Sequence, residues 1–160
     1  MKEKFVAEID DNKGIIFKVC NIYCRTSEDK EDLFQDIVLQ LWRSYSSFKG
    51  ESKFSTWMYR IAINTAITRL RKETKKEKKF LENIEESKLP IYDSSEEYDR
   101  MDLIYQAIDR LSEVEKAIII LYIDECTYKE MSEIIGISES NIGFKLNRIK
   151  IKLKKIIEYL

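Results

Sequence analysis

The sequence contains no histidine, one proline and only four glycines. The absence of histidine excludes catalytic triads and general bases that use it, and also the usual histidine-containing zinc sites. Because proline and glycine are the strongest interruptions of a helix, their scarcity leaves long stretches free to be helical. No apolar run approaches the roughly 20 residues of a membrane span, and the N-terminus lacks the pattern of a secretory signal. We therefore predict an all-helical protein without membrane insertion.

Cysteine is scarce as well, and its three positions, Cys20, Cys24 and Cys126, are an odd number. In a chain without a predicted signal peptide, this favours reduced thiols and a cytoplasmic location. Cys20 and Cys24 lie one helical turn apart, a spacing that would allow them to share a metal ion. Three thiols without a fourth ligand make a poor zinc site, so helix packing is the simpler interpretation. No cofactor is expected.

Charge is balanced overall, with 28 basic and 29 acidic side chains, but it is segregated along the chain. The segment Arg69–Lys79 is mostly basic, Glu82–Asp102 is mostly acidic, and Lys145–Lys155 is basic again. Such blocks are interpreted separately rather than averaged. Leu81–Ser95 also loses the apolar periodicity and contains Pro90, the only proline. It is predicted to be a flexible acidic linker between two domains.

Apolar residues at helical spacing predict three helices before the linker, over about Lys4–Cys24, Glu28–Tyr45 and Ser55–Lys79. The residues expected to face inward are Phe5, Ile9, Ile16, Val19, Cys20 and Tyr23 on the first helix, Leu33, Phe34, Ile37, Val38, Leu41 and Trp42 on the second, and Trp57, Met58, Ile61, Ala62, Thr65 and Ala66 on the third. Leu39 lies on the opposite side of the second helix among polar residues. It is either an ordinary exposed residue or the centre of a partner contact.

The outer side of the third helix combines aromatic, amide and cationic side chains. Its members are Tyr59, Arg60, Ile63, Asn64, Ile67 and Arg71. Such a mixture suits single-stranded nucleic acid, because bases stack on aromatic rings at roughly 1–3 kcal/mol each. The alternative is that the neighbouring aromatic residues Phe54 and Trp57 belong to the core, which is favoured for Trp57, whereas Tyr59 is expected to be more open.

Four helical segments are predicted after the linker: Asp99–Arg110, Ser112–Asp124, a short helix from Thr127 to Gly136, and a long final helix that begins at Ser138. Ser and Glu, or Thr and Glu, spaced three apart predict capping boxes at Ser112 and Thr127. Gly136 suits the left-handed geometry at a helix end. The buried residues are expected to be Ala117, Ile118, Leu121 and Tyr122 on the second of these helices, and Ile142, Leu146, Ile149, Leu153 and Ile156 on the last.

The last two helices have the sequence form of a helix-turn-helix, with the turn at Gly136-Ile137-Ser138. In that motif the second helix lies in the major groove, with its early residues at base edges. The early residues here are Glu139, Ser140, Asn141, Phe144 and Lys145, and Arg148 and Lys150 follow at positions that can reach phosphates. The alternative is a basic helix with a solvated face, in which lysines near the C-terminus complement the helix dipole.

Four stretches follow one another in an order that resembles a known family. They are EDLFQDIVLQLWR (Glu31–Arg43), FSTWMYRIAIN (Phe54–Asn64), LSEVEK (Leu111–Lys116) and TYKEMSEIIGISESNI (Thr127–Ile142). This order resembles the extracytoplasmic-function (ECF) sigma factors of bacterial RNA polymerase, over nearly the whole chain. The resemblance implies two small helical domains: sigma region 2 over residues 1–80 and sigma region 4 over 99–160, joined by a linker over 81–98. It also implies a protein that is not an enzyme.

The resemblance further assigns roles to residues at matching positions. The surface for the β′ clamp coiled coil of the polymerase would be Gln35, Asp36, Leu39, Gln40 and Arg43. The minus-ten element would be bound by Lys49, Ser52, Lys53, Phe54, Tyr59, Arg60 and Asn64. The minus-thirty-five element would be bound by Ser138, Ser140, Asn141, Phe144, Lys145, Asn147, Arg148 and Lys150. The partners implied are core polymerase, including its β flap, promoter DNA and an anti-sigma factor.

The final helix departs from the family's commonest pattern, because Ile142 is followed by Gly143 instead of a basic residue. A glycine removes a phosphate contact and weakens the helix by about 1 kcal/mol relative to alanine, although Phe144 could contact a thymine methyl group. Two other functions remain open. A stand-alone helix-turn-helix regulator would leave Leu39 and the third helix unexplained, and a helical adaptor that sequesters a transcription factor would bind protein but not DNA.

Overall fold

The computed structural model of the chain describes residues 1–81 and 100–159, with side chains over 1–76 and 102–159. These residues form seven helices and no strand, which confirms the all-helical prediction. The helices are α1 (Lys2–Tyr23), α2 (Ser27–Tyr45), α3 (Phe54–Leu81), α4 (Arg100–Asp109), α5 (Glu113–Ile123), α6 (Tyr128–Ile135) and α7 (Glu139–Glu158). No helix in this part of the chain is both long and apolar enough to cross a bilayer. The predicted linker, 81–98, lies almost entirely outside the described residues.

The predicted capping residues lie at the starts of α5 and α6, but only the first forms the predicted capping box. At the start of α5, Ser112 and Glu115 form the full capping box, since each side chain accepts a hydrogen bond from the backbone amide of the other. At the start of α6 the Thr127 hydroxyl accepts from the amide of Glu130 at 3.1 Å. The Glu130 carboxylate accepts from that same hydroxyl, at 3.2 Å, and not from the Thr127 amide. The prediction of a second full box is therefore wrong, and the Glu130 carboxylate also faces Lys53, 3.8 Å away.

The N-terminal helices α1, α2 and α3 pack together around a fully buried core. Its largest members are Ile16, Val19, Leu33, Ile37, Leu41 and Met58. Most of the predicted inward residues are buried or half-buried, but Trp42 is 39% exposed. Its ring packs edge-on against Phe5 at 5.0 Å between centroids, at the rim of the bundle. The apolar stripe of α2 is thus wider than the surface that α1 and α3 cover.

Two further predictions about side-chain faces are wrong. Tyr59 and Ile63 are each only 2% exposed, because α3 is covered by α1 and α2 on one side and by α6 on the other. Tyr122 is 42% exposed instead of buried. Its ring lies under the ammonium group of Lys150, 4.2 Å from the centroid, so it is shielded by a cation and not by the core.

The Arg69 guanidinium joins α2 to α3. It lies 3.2 Å from Asp36 and 3.1 Å from Glu73, and two more α2 carboxylates, Asp29 and Asp32, are within 4 Å. The Arg69 side chain is only 20% exposed, and a partly desolvated charge of this kind requires partners. Arg69 opens the basic stretch of the sequence, but its charge is neutralised within the fold.

Replacement of Arg69 by alanine should lower the free energy of unfolding by about 1 kcal/mol, because four half-exposed carboxylates lose the partly buried cation that they share. The measurement is chemical denaturation followed by circular dichroism. The control is Lys72→Ala, an exposed position on the same helix, where a change below about 0.5 kcal/mol is expected. Equal effects of the two substitutions would contradict the joining role of Arg69.

Candidate functional site

Helix α7 packs against the other C-terminal helices through one face, and its opposite face is exposed to solvent. Ile142, Leu146 and Ile149 are at most 1% exposed and anchor α7 against the C-terminal helices. The opposite face and the N-cap expose every residue predicted to contact duplex DNA. The turn before α7 has the predicted geometry, since Gly136 is left-handed with φ of 83° and Ser138 caps the helix. This part of the chain has the form of a helix-turn-helix whose second helix is accessible.

The exposed residues of α7 do not all lie together. The Phe144 side chain is 62% exposed, and the Arg148 guanidinium lies 5.4 Å from the centre of its ring. A cation near an aromatic face is attracted by the ring quadrupole, so this pair presents an apolar surface beside a fixed positive charge. Lys150 contacts Tyr122 of α5 instead and lies on the flank of α7. The centre of the candidate duplex-binding surface is therefore Phe144 and Arg148.

Gly143 has a packing role that the sequence interpretation missed. A Cβ atom at this position would lie 3.3 Å from Cε2 of Tyr128, the first residue of α6. The glycine therefore lets the half-exposed Tyr128 ring lie close against the helix that carries the candidate DNA contacts. The only signal in the sequence was the glycine itself, at a position where the family usually has a basic residue.

An aromatic cluster lies between the loop after α2 and the start of α3. The rings of Phe48, Phe54 and Trp57 have centroids 5.0 to 5.6 Å apart. Beside them is an open pocket lined by Ser47, Phe48, Lys49, Glu51, Ser52, Thr56, Trp57, Arg60 and, from α6, Glu133. An aromatic wall with cations and hydroxyl groups at its rim is suited to hold a nucleobase. Trp57 is half-buried and serves both the cluster and the pocket.

The other residues predicted to bind single-stranded DNA lie elsewhere. The Lys53 ammonium is 3.8 Å from Glu130 of α6. The Tyr59 hydroxyl donates a hydrogen bond to the Asp124 carboxylate, and burial together with this bond raises the pKa of Tyr59. Asn64 lines a different groove, between α2 and α3. The structure thus brings Lys49, Ser52 and Arg60 together at the pocket but separates Tyr59 and Asn64 from them.

Every residue predicted to contact the polymerase is exposed on α2. Leu39, which is 45% exposed, lies between two grooves. One is apolar and is lined by Lys2, Phe5, Val6, Phe34, Gln35, Val38, Leu39 and Trp42. The other is mainly polar and is lined by Asp36, Leu39, Gln40, Arg43, Ser44, Ile61, Asn64, Thr65, Thr68, Arg69, Lys72, Glu73 and Lys76. The sequence interpretation found Leu39 but missed Val6, which extends the apolar surface onto α1.

The three cysteines are free thiols. Burial, with a smaller contribution from Cys24, raises the pKa of Cys20 to about 11. Burial and the nearby Glu130 and Asp124 carboxylates raise the pKa of Cys126 to about 11 as well. Among the described residues, no three candidate ligands lie together as a metal site would require. In this structure Cys20 is a core residue.

Comparison with known proteins agrees with these two parts of the fold. Residues 9–76 match the family model for sigma-70 region 2, and residues 101–153 match a sigma-70 region 4 model. The RNA polymerase sigma factor YlaC of Bacillus subtilis is 30% identical over 133 residues, which cover 80% of this chain and 77% of that protein. The ECF RNA polymerase sigma factor SigW of the same organism is 27% identical over 96% of this chain and 89% of its own.

The fold has a close counterpart among solved structures. The sigma factor RpoE of Bartonella quintana, crystallised with the anti-sigma factor NepR, superimposes with a TM-score of 0.77 over 98% of both chains, at 19% identity. The chain belongs to the ECF sigma factors of RNA polymerase, a group of the sigma-70 family. Members of this family are non-catalytic transcription initiation factors, so the chain acts by bringing RNA polymerase to promoters and promoting DNA opening there. The two matched regions, in this order, do not favour a stand-alone regulator.

Replacement of Gly143 by alanine should raise the free energy of unfolding by up to about 1 kcal/mol, because alanine is the better helix former. The neighbouring Tyr128 ring is 45% exposed and can move the few tenths of an ångström required. Gly136→Ala is the control in the same motif. It should lower stability by about 1–2 kcal/mol, because φ is 83° there and a Cβ is strained. Thermal denaturation measures both, and destabilisation by Gly143→Ala would show that the Tyr128 ring cannot move.

Proposed function

We propose that α2 binds the β′ clamp coiled coil of core polymerase through Gln35, Asp36, Leu39, Gln40 and Arg43. The observation that carries this proposal is Leu39, a large apolar side chain exposed between an apolar and a polar groove. Apolar anchors surrounded by polar residues are typical of the energetic centres of interfaces. Asp36 would retain its ion pair with Arg69 while it also contacts the polymerase.

The loop after α2 and the start of α3 would bind the non-template strand of the minus-ten element. The support is the pocket beside the Phe48, Phe54 and Trp57 rings, with Lys49, Ser52 and Arg60 at its rim. A flipped base costs a few kcal/mol to unstack, and stacking on aromatic rings can offset this cost. Lys53, Tyr59 and Asn64 would join the strand outside the pocket.

Helix α7 would bind the minus-thirty-five element as duplex DNA, while the C-terminal domain also meets the β flap. Phe144 would lie at base edges, together with Ser140, Asn141 and Lys145, and Arg148 beside its ring would reach a phosphate. Ser138, Asn147 and Lys150 would contact the backbone from the N-cap and the flanks. Because the contacts to phosphates release counterions, this binding should weaken steeply with salt.

We also propose limits for the two domains and a protein that regulates them. Region 2 would span residues 1–80 and region 4 residues 99–160, with the linker at 81–98, and the protein would act in the cytoplasm. The structural counterpart RpoE was crystallised with an anti-sigma factor. By analogy, we propose that an anti-sigma factor also binds this chain.

Replacement of Leu39 by alanine should weaken binding to purified bacterial core polymerase about tenfold or more, as for the central residue of an interface. Arg43→Ala, at the edge of the same surface, should weaken it less. Size-exclusion chromatography of mixtures with core, followed by a titration of labelled protein, measures the effect. Ile123→Ala is the control, because it removes an apolar side chain from α5 that is 62% exposed, more than the 45% of Leu39.

If Ile123→Ala weakens binding as much as Leu39→Ala, the α2 surface is not the specific contact. If the pure folded protein never joins core polymerase, the whole assignment of partners fails. Such a result would revive the stand-alone helix-turn-helix regulator, which should bind specific duplex DNA without polymerase, as a dimer.

A further inference from the structure

A chain of aromatic rings runs from α1 to the pocket beside the start of α3. The Phe5 ring of α1, which is only 6% exposed, packs edge-on against the Tyr45 ring, with 5.1 Å between the centroids. The Tyr45 ring lies 6.4 Å from Trp57 of α3, and Trp57 contacts Phe48 and Phe54. Aromatic pairs at such separations attract each other beyond the effect of the area that they bury. Tyr45, the last residue of α2, therefore links the core of the bundle to the wall of the pocket.

The Tyr45 hydroxyl is fixed by a side chain of α1. It donates a hydrogen bond to the Glu8 carboxylate, with 2.6 Å between the two oxygens. A hydrogen bond to a charged acceptor is shorter and stronger than one between neutral groups. Glu8 is half-buried, so solvent competes less for this carboxylate than for an exposed one. The Tyr45 side chain is thus held both by its ring, against Phe5, and by its hydroxyl, against Glu8.

The backbone of Tyr45 holds a second residue of the pocket wall. The Tyr45 carbonyl oxygen accepts a hydrogen bond from the Phe48 amide at 3.2 Å. The carbonyl oxygen of Ser44 accepts hydrogen bonds from both the amide and the hydroxyl of Ser47, at 3.1 and 2.7 Å. These bonds form a tight turn between the end of α2 and Phe48, so the position of Phe48 depends on that of Tyr45. Phe48 and Trp57 both line the pocket, whereas Tyr45 does not.

We propose that Tyr45 is a positioning residue of the base pocket, and that its hydrogen bond to Glu8 holds the Phe48 and Trp57 rings in the geometry that stacks on a nucleobase. This inference rests on the proposed minus-ten function of the pocket. Glu8 does not line the pocket either, so the pair acts on a captured base through the two rings and not by contact. Rings that are in place before the base arrives avoid the loss of affinity that ordering them during binding causes.

Removal of a single hydroxyl group should therefore weaken DNA binding from a distance. Tyr45→Phe keeps the ring and its packing against Phe5 but loses the hydrogen bond to Glu8. The Trp57 ring then occupies several positions, and the apparent affinity for single-stranded DNA falls with the fraction that can stack, by about 3–10-fold. Glu8→Ala should weaken binding in the same way. The loss of a negative charge by itself favours DNA binding, so a weaker complex of this variant cannot be a direct charge effect.

The experiment measures DNA binding and ring position separately. The full-length chain is bound to purified bacterial core polymerase, and the affinity for a fluorescent single-stranded pool of about 16 random nucleotides is measured by anisotropy, with core alone as the background. The position of the ring is measured in the free chain. There a Trp42→Phe background leaves Trp57 as the only tryptophan, and its time-resolved fluorescence anisotropy reports the mobility of the ring.

Three further variants serve as controls. Tyr105→Phe also removes one hydroxyl, from an exposed tyrosine of α4 that does not line the pocket, and it should change neither the affinity nor the mobility of Trp57. Glu8→Gln keeps an acceptor oxygen for the Tyr45 hydroxyl, so it should weaken binding less than Glu8→Ala. The double variant Tyr45→Phe/Glu8→Ala should lose no more affinity than Tyr45→Phe alone, because the same hydrogen bond is lost in both.

Three results would overturn the proposal. Unchanged mobility of Trp57 in Tyr45→Phe and Glu8→Ala, with circular dichroism showing intact folds, would mean that the hydrogen bond does not position the wall. Additive losses in the double variant would mean that the two side chains act separately. The third result is a mobile Trp57 ring with unchanged affinity, and Phe48→Ala then identifies the failure. If Phe48→Ala weakens binding, only the positioning role fails, and if it does not, the proposed minus-ten pocket fails as well.

Discussion

The Asp124 carboxylate joins the N-terminal helices of the chain to the C-terminal helices. It receives hydrogen bonds from Lys18 of α1 and from Tyr59 of α3. Helix α6, which follows Asp124 in the chain, packs against the outer side of α3. The inner side of α3 packs against α1 and α2. As a result α6 covers the outer side of α3, and Tyr59 is buried there. The burial of Tyr59 and the pairing of Lys18 and Lys53 with carboxylates therefore depend on a contact between helices that are distant along the chain.

The predicted binding surfaces on α2 and α7 lie outside this contact and are exposed. Leu39 and its neighbours on α2 are exposed, and Arg69 fixes the α2 backbone that presents them by holding α2 to α3. On the other domain, the buried stripe of α7 leaves Phe144 and Arg148 free, while Gly143 allows Tyr128 to pack beside them. The exposed faces of α2 and α7 are therefore accessible in the same arrangement that buries Tyr59.

Much of the fold could be predicted because it is set by interactions close in sequence. The Ser112 box, the cap at Ser138 and the left-handed Gly136 each need only residues within a few positions, and all three are present. The exposed Leu39 was also predictable, since an apolar residue outside a clear stripe must point away from the core. The errors at Tyr59, Ile63 and Tyr122 have a shared cause: each depends on a neighbour more than 25 residues away, or on a cation from another helix.

The sequence by itself determined the helical class, the approximate helix limits, the caps at Ser112 and Ser138, the order of the two sigma regions and the residue types on α2 and α7. The helical class, the helix limits and the caps follow from periodicity and from local hydrogen bonds, which a short stretch of chain specifies alone. The order of the two sigma regions was implied by the resemblance of four stretches to the family. Only the tertiary structure decided how the two domains meet, which carboxylate pairs with which cation, and that Arg69 is neutralised by α2. A charged side chain in a sequence has many possible partners, and the choice among them is made by the packing of helices that are distant along the chain.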